Sequence, residues 1–259
     1  MLELNKIYCA EAYEFMKKYI PDNYIDLTVT SPPYDDLRIY NGYVFNFEAI
    51  VNELYRITKD GGVVVWIVGD KTVNGSETGT SFRQALYFKE IGFKLHDTMI
   101  YAKKNTPFMR SNAYTPSFEY MFVFVKGKLK TFNPIKEPTV RSGFEVTRSN
   151  KGRDGNSKKV VKELKKEKTK TNIWYYAVGL GGSTRDKIAF NHPAIFPEKL
   201  AEDHILSWSN EGDIVLDPMC GSGTTCKMAL LNNRKFIGID ISQEYVDLAN
   251  ERIHNYKTV

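Results

Sequence analysis

The chain has 259 residues, 42% hydrophobic and 13% aromatic, enough for a substantial core in one large α/β domain or in a domain carrying an insertion. No stretch approaches 18 apolar residues, and the start, Met1-Leu-Glu-Leu-Asn-Lys, lacks the basic and apolar blocks of a signal peptide. A reduced, cytoplasmic protein with no membrane association is therefore expected. The three cysteines (Cys9, Cys220, Cys226) and four histidines show no ligand spacing, so no metal is expected. The net charge of +5 is unevenly placed. Lys126 to Asn172 holds 15 Lys and Arg against 5 Asp and Glu, which leaves the remainder acidic. Such a segment suits a polyanionic partner; a solvated charged loop is the plain alternative.

In chain order, Lys6 to Ala10 reads as a short strand and Ala12 to Tyr19 as an amphipathic helix, followed by a Pro21-Asp22-Asn23 turn. Ile25 to Thr30 is a second strand, and it runs into Ser31-Pro-Pro-Tyr34. A helix spans Phe47 to Ile57, with Ile50, Val51, Leu54 and Ile57 on one face, and Lys59-Asp-Gly-Gly62 ends it. The continuous apolar run Val63 to Val68 suits a central strand. Ser81 to Ile91 is helical, and Lys94 to Ala102 with Glu119 to Val125 suggests an antiparallel pair. From Lys126 to about Asn172 the periodicity dissolves, with Lys158 to Lys170 reading as an exposed helix. Patterning returns with a helix at Pro197 to Trp208, a strand at Asp213 to Asp217 and a helix at Thr225 to Asn232. A strand at Phe236 to Asp240 and a helix at Gln243 to His254 complete the chain. Alternating strands and helices predict a wound α/β sheet assembled from both chain ends around the basic insert.

Two stretches carry chemistry. In Ser31-Pro-Pro-Tyr34, two prolines fix φ near about −65° and remove two backbone donors, leaving a hydroxyl, carbonyls and an aromatic face side by side. That set suits an exocyclic amine, whose two N–H bonds need acceptors and whose ring needs a stacking partner. A simple proline-rich turn is the other reading. Asp217-Pro-Met-Cys-Gly-Ser-Gly-Thr-Thr225 is a glycine-rich turn between a strand and a helix, where backbone amides can approach an anionic ligand. It has no Gly-Lys-Ser/Thr, which excludes a P-loop, and Cys226 replaces the third glycine of a dinucleotide fingerprint. Asp240 ends the next strand and suits ribose hydroxyls, so an adenosyl-type cofactor is expected.

Together these motifs resemble the amino-group DNA methyltransferases that use S-adenosyl-L-methionine. The Pro-Pro-Tyr turn comes first, the basic region next and the cofactor loop last, an order similar to the circularly permuted β class. Asn191-His-Pro-Ala-Ile-Phe-Pro-Glu-Lys-Leu200 and Asn172-Ile-Trp174 also resemble motifs of that class. The resemblance implies a Rossmann-like methyltransferase fold: a mostly parallel twisted sheet, an antiparallel strand at one edge, and helices on both faces. It implies a catalytic domain over 1–126 and 172–259, with 127–171 as a target-recognition region.

By the same resemblance, Ser31, Pro32, Pro33 and Tyr34 are catalytic. Gly221, Ser222, Gly223 and Thr224 wrap the methionine part of the cofactor, Asp217, Pro218 and Cys220 of the same loop also bind the cofactor, and Phe196 and Pro197 help to wall the methionine pocket. Asp240 takes the ribose. Glu11 stands where the family usually has a Gly-Asp pair touching the adenine amine. Ser31 Oγ and the Pro32 carbonyl would accept the amine's two N–H bonds, and Tyr34 would stack on a base flipped from duplex DNA, worth about 1–3 kcal/mol. A cytosine C5 enzyme would need a nucleophilic cysteine, usually after proline, which is absent. Serine before Pro-Pro-Tyr is more usual in N4-cytosine enzymes, so N4-cytosine is expected, with N6-adenine as the alternative.

Arg38 either touches phosphate or neutralises Asp35, and Asp70 is either a cleft residue or a loop cap. Arg141, Arg148 and Arg153 are candidate base readers, and the insert's lysines suit phosphates. Double-stranded DNA is the expected partner, and a cognate restriction endonuclease is a candidate companion; monomer and homodimer stay open. RNA or protein amide methylation, or a nucleic-acid-binding module without catalysis, are the competing classes. The pairing of Ser31-Pro-Pro-Tyr34 with the glycine loop argues against the last.

Overall fold

Strands buried on both faces set the centre of the sheet. In the computed structural model, which describes residues 2–33, 45–106, 109–151 and 156–257, the order begins β1 (Lys6–Cys9), α1 (Ala12–Tyr19), β2 (Ile25–Thr30), α2 (Phe47–Ile57), β3 (Thr58–Val68). The small hairpin β4 (Thr72–Val73) and β5 (Ser76–Glu77) precedes α3 (Thr80–Ile91), β6 (Lys94–Lys103) and β7 (Phe118–Val125). Then come β8 (Lys136–Pro138), β9 (Glu145–Lys151), β10 (Ser157–Glu163), β11 (Glu167–Thr169) and β12 (Ile173–Tyr176). A 3₁₀ turn (Lys187–Asn191), α4 (Glu198–Trp208), β13 (Ile214–Asp217), α5 (Thr224–Leu231), β14 (Lys235–Asp240) and α6 (Gln243–Lys257) follow. The chain divides into two units, Met1–Asn133 with Asn172–Val259, and Pro134–Thr171.

The larger unit holds an eight-stranded sheet in the order β1-β14-β13-β2-β3-β7-β6-β12. From β1 to β3 every pair is parallel; β7 runs antiparallel to both neighbours, and β12 returns parallel to β6. The expected antiparallel strand is thus β7. It lies two places in from the edge rather than at it, because β6 and β12 extend the sheet beyond it. Helices α1, α2 and α3 cover one face, where Phe88 stacks on Phe124 at 4.2 Å. α4 packs on β2 and α5 on β13 and β14. This is the wound α/β sheet that the sequence pattern predicts, in the Rossmann-like arrangement that the resemblance implies.

β3 starts at Thr58, earlier than the apolar run alone indicates. Gly61 (φ +83°) makes the extension possible. Its amide donates to the Lys126 carbonyl at 2.7 Å, and a Cβ there would meet Lys128 O at 2.8 Å.

The smaller unit is a β ribbon. β9 pairs antiparallel with β10, and β8 with β11, the two ladders joined through Gly143 N to Leu164 O and Leu164 N to Phe144 O. The segment Lys158 to Lys170 is therefore not a helix: it holds most of β10 and all of β11, with a break at 164–166. Val160 and Val161 favour an extended backbone, and the pairing with β9 supplies hydrogen bonds that an isolated, charge-rich helix would lack a core to support.

At the seams, Asn133 donates from its amide to the carbonyls of Leu206 and Ser209 at 3.2 and 3.1 Å. Asn172 donates to Asp97 Oδ1 and Thr98 O at 3.2 and 3.3 Å. No helix among the described residues is long and apolar enough to cross a membrane.

Candidate active site

The C-terminal ends of β2, β13 and β14 converge, as ligand sites do in open α/β sheets. The β13–β2 ladder contains only the pairs Val215↔Leu27 and Leu216↔Thr28. Beyond it, side chains take over. Thr30 Oγ1 donates to Asp217 Oδ1 at 2.8 Å, and Thr225 Oγ1 donates to Val29 O at 3.1 Å. These two struts fix the end of β2, where Ser31 and Pro33 are half-buried and Pro32 is buried. Tyr34, Arg38 and Arg153 lie outside the described residues.

After β13 the chain turns through Pro218 to Gly223 into α5. Gly223 is left-handed (φ +74°), and a Cβ there would lie 2.7 Å from Ala249 Cβ. At Gly221 (φ +48°) a Cβ would lie 2.7 Å from His192 Nε2, so the imidazole rests directly on the loop. The first-turn amides of α5 have no intrahelical partners, which makes that helix end a receptor for a carboxylate. Asp240 receives Gly221 N at 2.8 Å on Oδ2 and Ser242 N at 2.9 Å on Oδ1. Burial pushes its carboxyl above the ordinary value against those amides. The acceptor sites of an ionised carboxylate, about four in all, leave room for a further donor.

Several expected ligand residues face inward instead. Asp217, 1% exposed, is enclosed by Thr30, Thr225 and the amide of Met219, and burial pushes its carboxyl up to about 6. It is a strut of the loop rather than an open ligand group. Cys220 is also enclosed, and the neighbouring Cys226 thiol together with burial pushes its thiol up. Ser222 and Thr224 turn their hydroxyls to Arg252, whose Nη1 lies 3.0 Å from Ser222 Oγ and 3.3 Å from Thr224 Oγ1 and also binds the Ser222 carbonyl. What these residues can offer a ligand is backbone. Pro218 is buried behind the turn; Phe196 is half-buried beside the start of α4. Glu11 caps α1, its Oε2 accepting from Glu14 N at 2.8 Å, two residues past the Cys9–Asp240 pair that ends β1. Asp70 is a loop cap: it accepts from Ser81 N at 2.9 Å at the start of α3.

Arg252 belongs to an ion network the sequence alone does not reveal. Its Nη2 lies 2.8 Å from Glu198 Oε1 and its Nε 3.3 Å from Asp186 Oδ2. Lys227 Nζ reaches the same two carboxylates at 2.7 and 2.6 Å. Arg252 and Lys227 are 0% and 3% exposed at the side chain. Burial works to raise the Asp186 carboxyl, but the two cations outweigh it and hold it below its ordinary value. Two cations and two anions thus lock the 3₁₀ turn, α4, α5 and α6 beneath the glycine loop.

His192 lies within the stretch Asn191 to Leu200, whose pattern assigns it no role. Its Nδ1 accepts from Ala194 N at 3.1 Å, which leaves the proton of the neutral ring on Nε2, over Gly221. The ring packs edge-on against Tyr245 at 4.4 Å. In the smaller unit, Arg141 is exposed in the turn before β9, and Arg148 lies on β9. Among the described residues no group of His, Cys, Asp or Glu could hold a metal ion.

A glycine turn backed by a buried ion network, with an acidic residue ending the adjacent strand and a fixed Ser-Pro turn beside it, defines a group-transfer site on a Rossmann-like methyltransferase fold. The N6/N4 family model described as DNA methylase matches residues 25–251, and the chain belongs to that family: it is a DNA methyltransferase. It is 62% identical over 246 residues to the orphan methyltransferase M.BamHII of Bacillus amyloliquefaciens, covering 93% of each chain. Two solved structures share the fold. The M1.HpyAVI–SAM complex has a TM-score of 0.63 at 22% identity, covering 95% of this chain and 97% of that one. The cytosine-N4-specific PvuII DNA methyltransferase has a TM-score of 0.68 at 19% identity, covering 97% and 90%.

Proposed function

We propose that the chain transfers a methyl group from S-adenosyl-L-methionine to the N4 amine of a cytosine flipped out of duplex DNA. The observation that carries this reading is the pair of struts, Thr30 to Asp217 and Thr225 to Val29, which fasten an amine-accepting turn to the glycine loop. The loop suits the cofactor because Gly221 and Gly223, both left-handed and packed against His192 and Ala249, form the turn that leads into the unpartnered first amides of α5, and because Asp240 retains acceptor capacity for ribose hydroxyls. The α5 amides would receive the carboxylate, Phe196 and Pro197 would wall the methionine, and Glu11 would take the adenine amine. When bound, the cofactor supplies an electrophilic sulfonium methyl.

The chain's own work is positioning. Ser31 Oγ and the Pro32 carbonyl accept the two N–H bonds of the amine, which favours a pyramidal nitrogen with its lone pair turned to the methyl group. Acceleration then comes from alignment and preorganised dipoles rather than from a strong base. The base must leave the stack to reach this turn, and Tyr34 would face its ring. The unit Pro134–Thr171, with 12 Lys and Arg against 5 Asp and Glu, acts as the target-recognition region. Its lysines neutralise phosphates, and Arg141, Arg148 and Arg153 are its candidate base readers. The likeness to an orphan enzyme favours action without a companion endonuclease.

Cytosine is preferred because serine before Pro-Pro-Tyr is the usual N4 pattern. Since a serine hydroxyl accepts from either amine, N6-adenine is the second reading. Mass spectrometry of nucleosides from DNA treated with the protein and S-adenosylmethionine tests both. N4-methylcytosine is the expected product. N6-methyladenine alone would replace cytosine with adenine, and no methylated base would sink the reading.

A further inference from the structure

The connection between β6 and β7, residues 104–117, stands outside the machinery described so far. Tyr114 and Met109 are 100% and 93% exposed, the most exposed large apolar side chains described in the larger unit. From Lys103 to Phe118 the sequence carries Lys103, Lys104 and Arg110 and no acidic residue. Fully hydrated aromatic and thioether groups on a basic loop fit a polyanion with an apolar interior better than they fit solvent.

Register places this loop at the Ser31 end of the sheet. Thr30 pairs with Trp66, Trp66 with Phe122, and Val68 with Tyr120, so β7 begins beyond the level of the Ser31 turn. Two strand spacings, about 10 Å, separate β2 from β7. The loop is tethered at its base. Lys104 N donates to Tyr176 O at 2.9 Å, Asn105 makes two bonds to the Val178 backbone, and Lys103 pairs with Glu119 at 2.7 Å. Arg110 reaches Thr72 Oγ1 at 3.3 Å. Exposed tips on an anchored base suit insertion rather than wrapping.

We propose that residues 109–117 form a wedge that enters duplex DNA beside the flipped base. Tyr114 and Met109 occupy the stacking space the base vacates, while Lys104 and Arg110 meet the flanking phosphates. The proposal rests on the base-flipping reading above. Stacking on a side chain is sequence-tolerant, so the wedge lowers the cost of opening and leaves base choice to other residues.

The test compares Tyr114→Ala, Met109→Ala and the double variant with the wild type in single-turnover methylation. One substrate is a matched duplex bearing the methylated site; the other carries an abasic position opposite the target base, which is thereby already unpaired. The double variant should lose tenfold or more on the matched duplex and less than twofold on the pre-opened one, with S-adenosylmethionine affinity unchanged. Tyr114→Trp should retain the wild-type rate. Equal losses on both substrates, or no loss on either, would overturn the wedge. A wild type inactive on both DNAs would bring down the methylation reading first and the wedge with it, a result distinct from the variant patterns.

Discussion

Replacing Asp217 with asparagine should make the protein more stable, and more so as the pH rises. Asp217 is fully buried, and burial raises its carboxyl to about 6 against the Thr30 hydroxyl and the Met219 amide. An unfolded aspartate titrates near 3.9. A folded value above the unfolded one means that the fold prefers the neutral acid. That contribution is complete below about pH 3.9 and is lost as the pH climbs through about 6. At pH 8 the ionised group costs about two pK units, or about 3 kcal/mol. The asparagine side chain would keep an oxygen for Thr30 and Met219, and its new amide nitrogen would face Thr225 Oγ1, which can accept while it donates to Val29. Imperfect geometry removes about 1 kcal/mol of the gain. Urea unfolding of Asp217→Asn and wild type at pH 8 should therefore differ by about 2 kcal/mol in favour of the variant, and at pH 4.5 by much less. A variant destabilised equally at both pH values would refute the reasoning, because it would show the strut to depend on shape or on the charge itself.

Other perturbations separate the site's parts. On the proposed mechanism, Ser31→Ala would remove one acceptor from an amine that gains positive charge during transfer. A bond of that kind is worth about 1.5–3 kcal/mol, so kcat should fall about 10- to 150-fold while cofactor affinity, followed by calorimetry, stays within twofold. Equal loss of both would argue against an amine contact. Arg252→Met leaves two carboxylates to Lys227 alone and releases the Ser222 carbonyl, so a loss of about 3–5 kcal/mol in urea melts is expected together with weakened cofactor binding. Arg252→Lys should restore part of the stability but little of the affinity, since an ammonium cannot fork between the loop and Glu198.

The parts of this molecule that announce themselves in the sequence are those with a dry environment on both sides. Val63 to Val68 and Ile214 to Leu216 read as central strands because the sheet buries both their faces, and apolar continuity is the trace that leaves. The ribbon of the smaller unit leaves no such trace. Val161 is 59% and Phe144 65% exposed, so nothing forces alternation, and charge alone mimics a helix between Lys158 and Lys170. The site divides in the same way. Gly221, Gly223, Asp240 and the Ser31 turn are local motifs, visible wherever they occur. Arg252 and Lys227 look like ordinary charges on amphipathic helices. Their partners, Asp186 and Glu198, lie tens of residues away in sequence, and only the packing of α4, α5 and α6 makes the four into one group. His192 is legible as part of a motif but not as the lid of Gly221, because a close approach between loops has no sequence signature.

The two asparagines at the seams carry a consequence for how such an enzyme changes its target. Asn133 and Asn172 close the hydrogen bonds of the catalytic body where the chain departs and where it comes back, each on carbonyls or a carboxylate that belong to that body. The segment between them is thereby a cassette. Its sequence and length can drift without opening the sheet, so, on the proposed division of labour, selection on which DNA is modified and selection on how the methyl group moves would act on separate stretches of one gene.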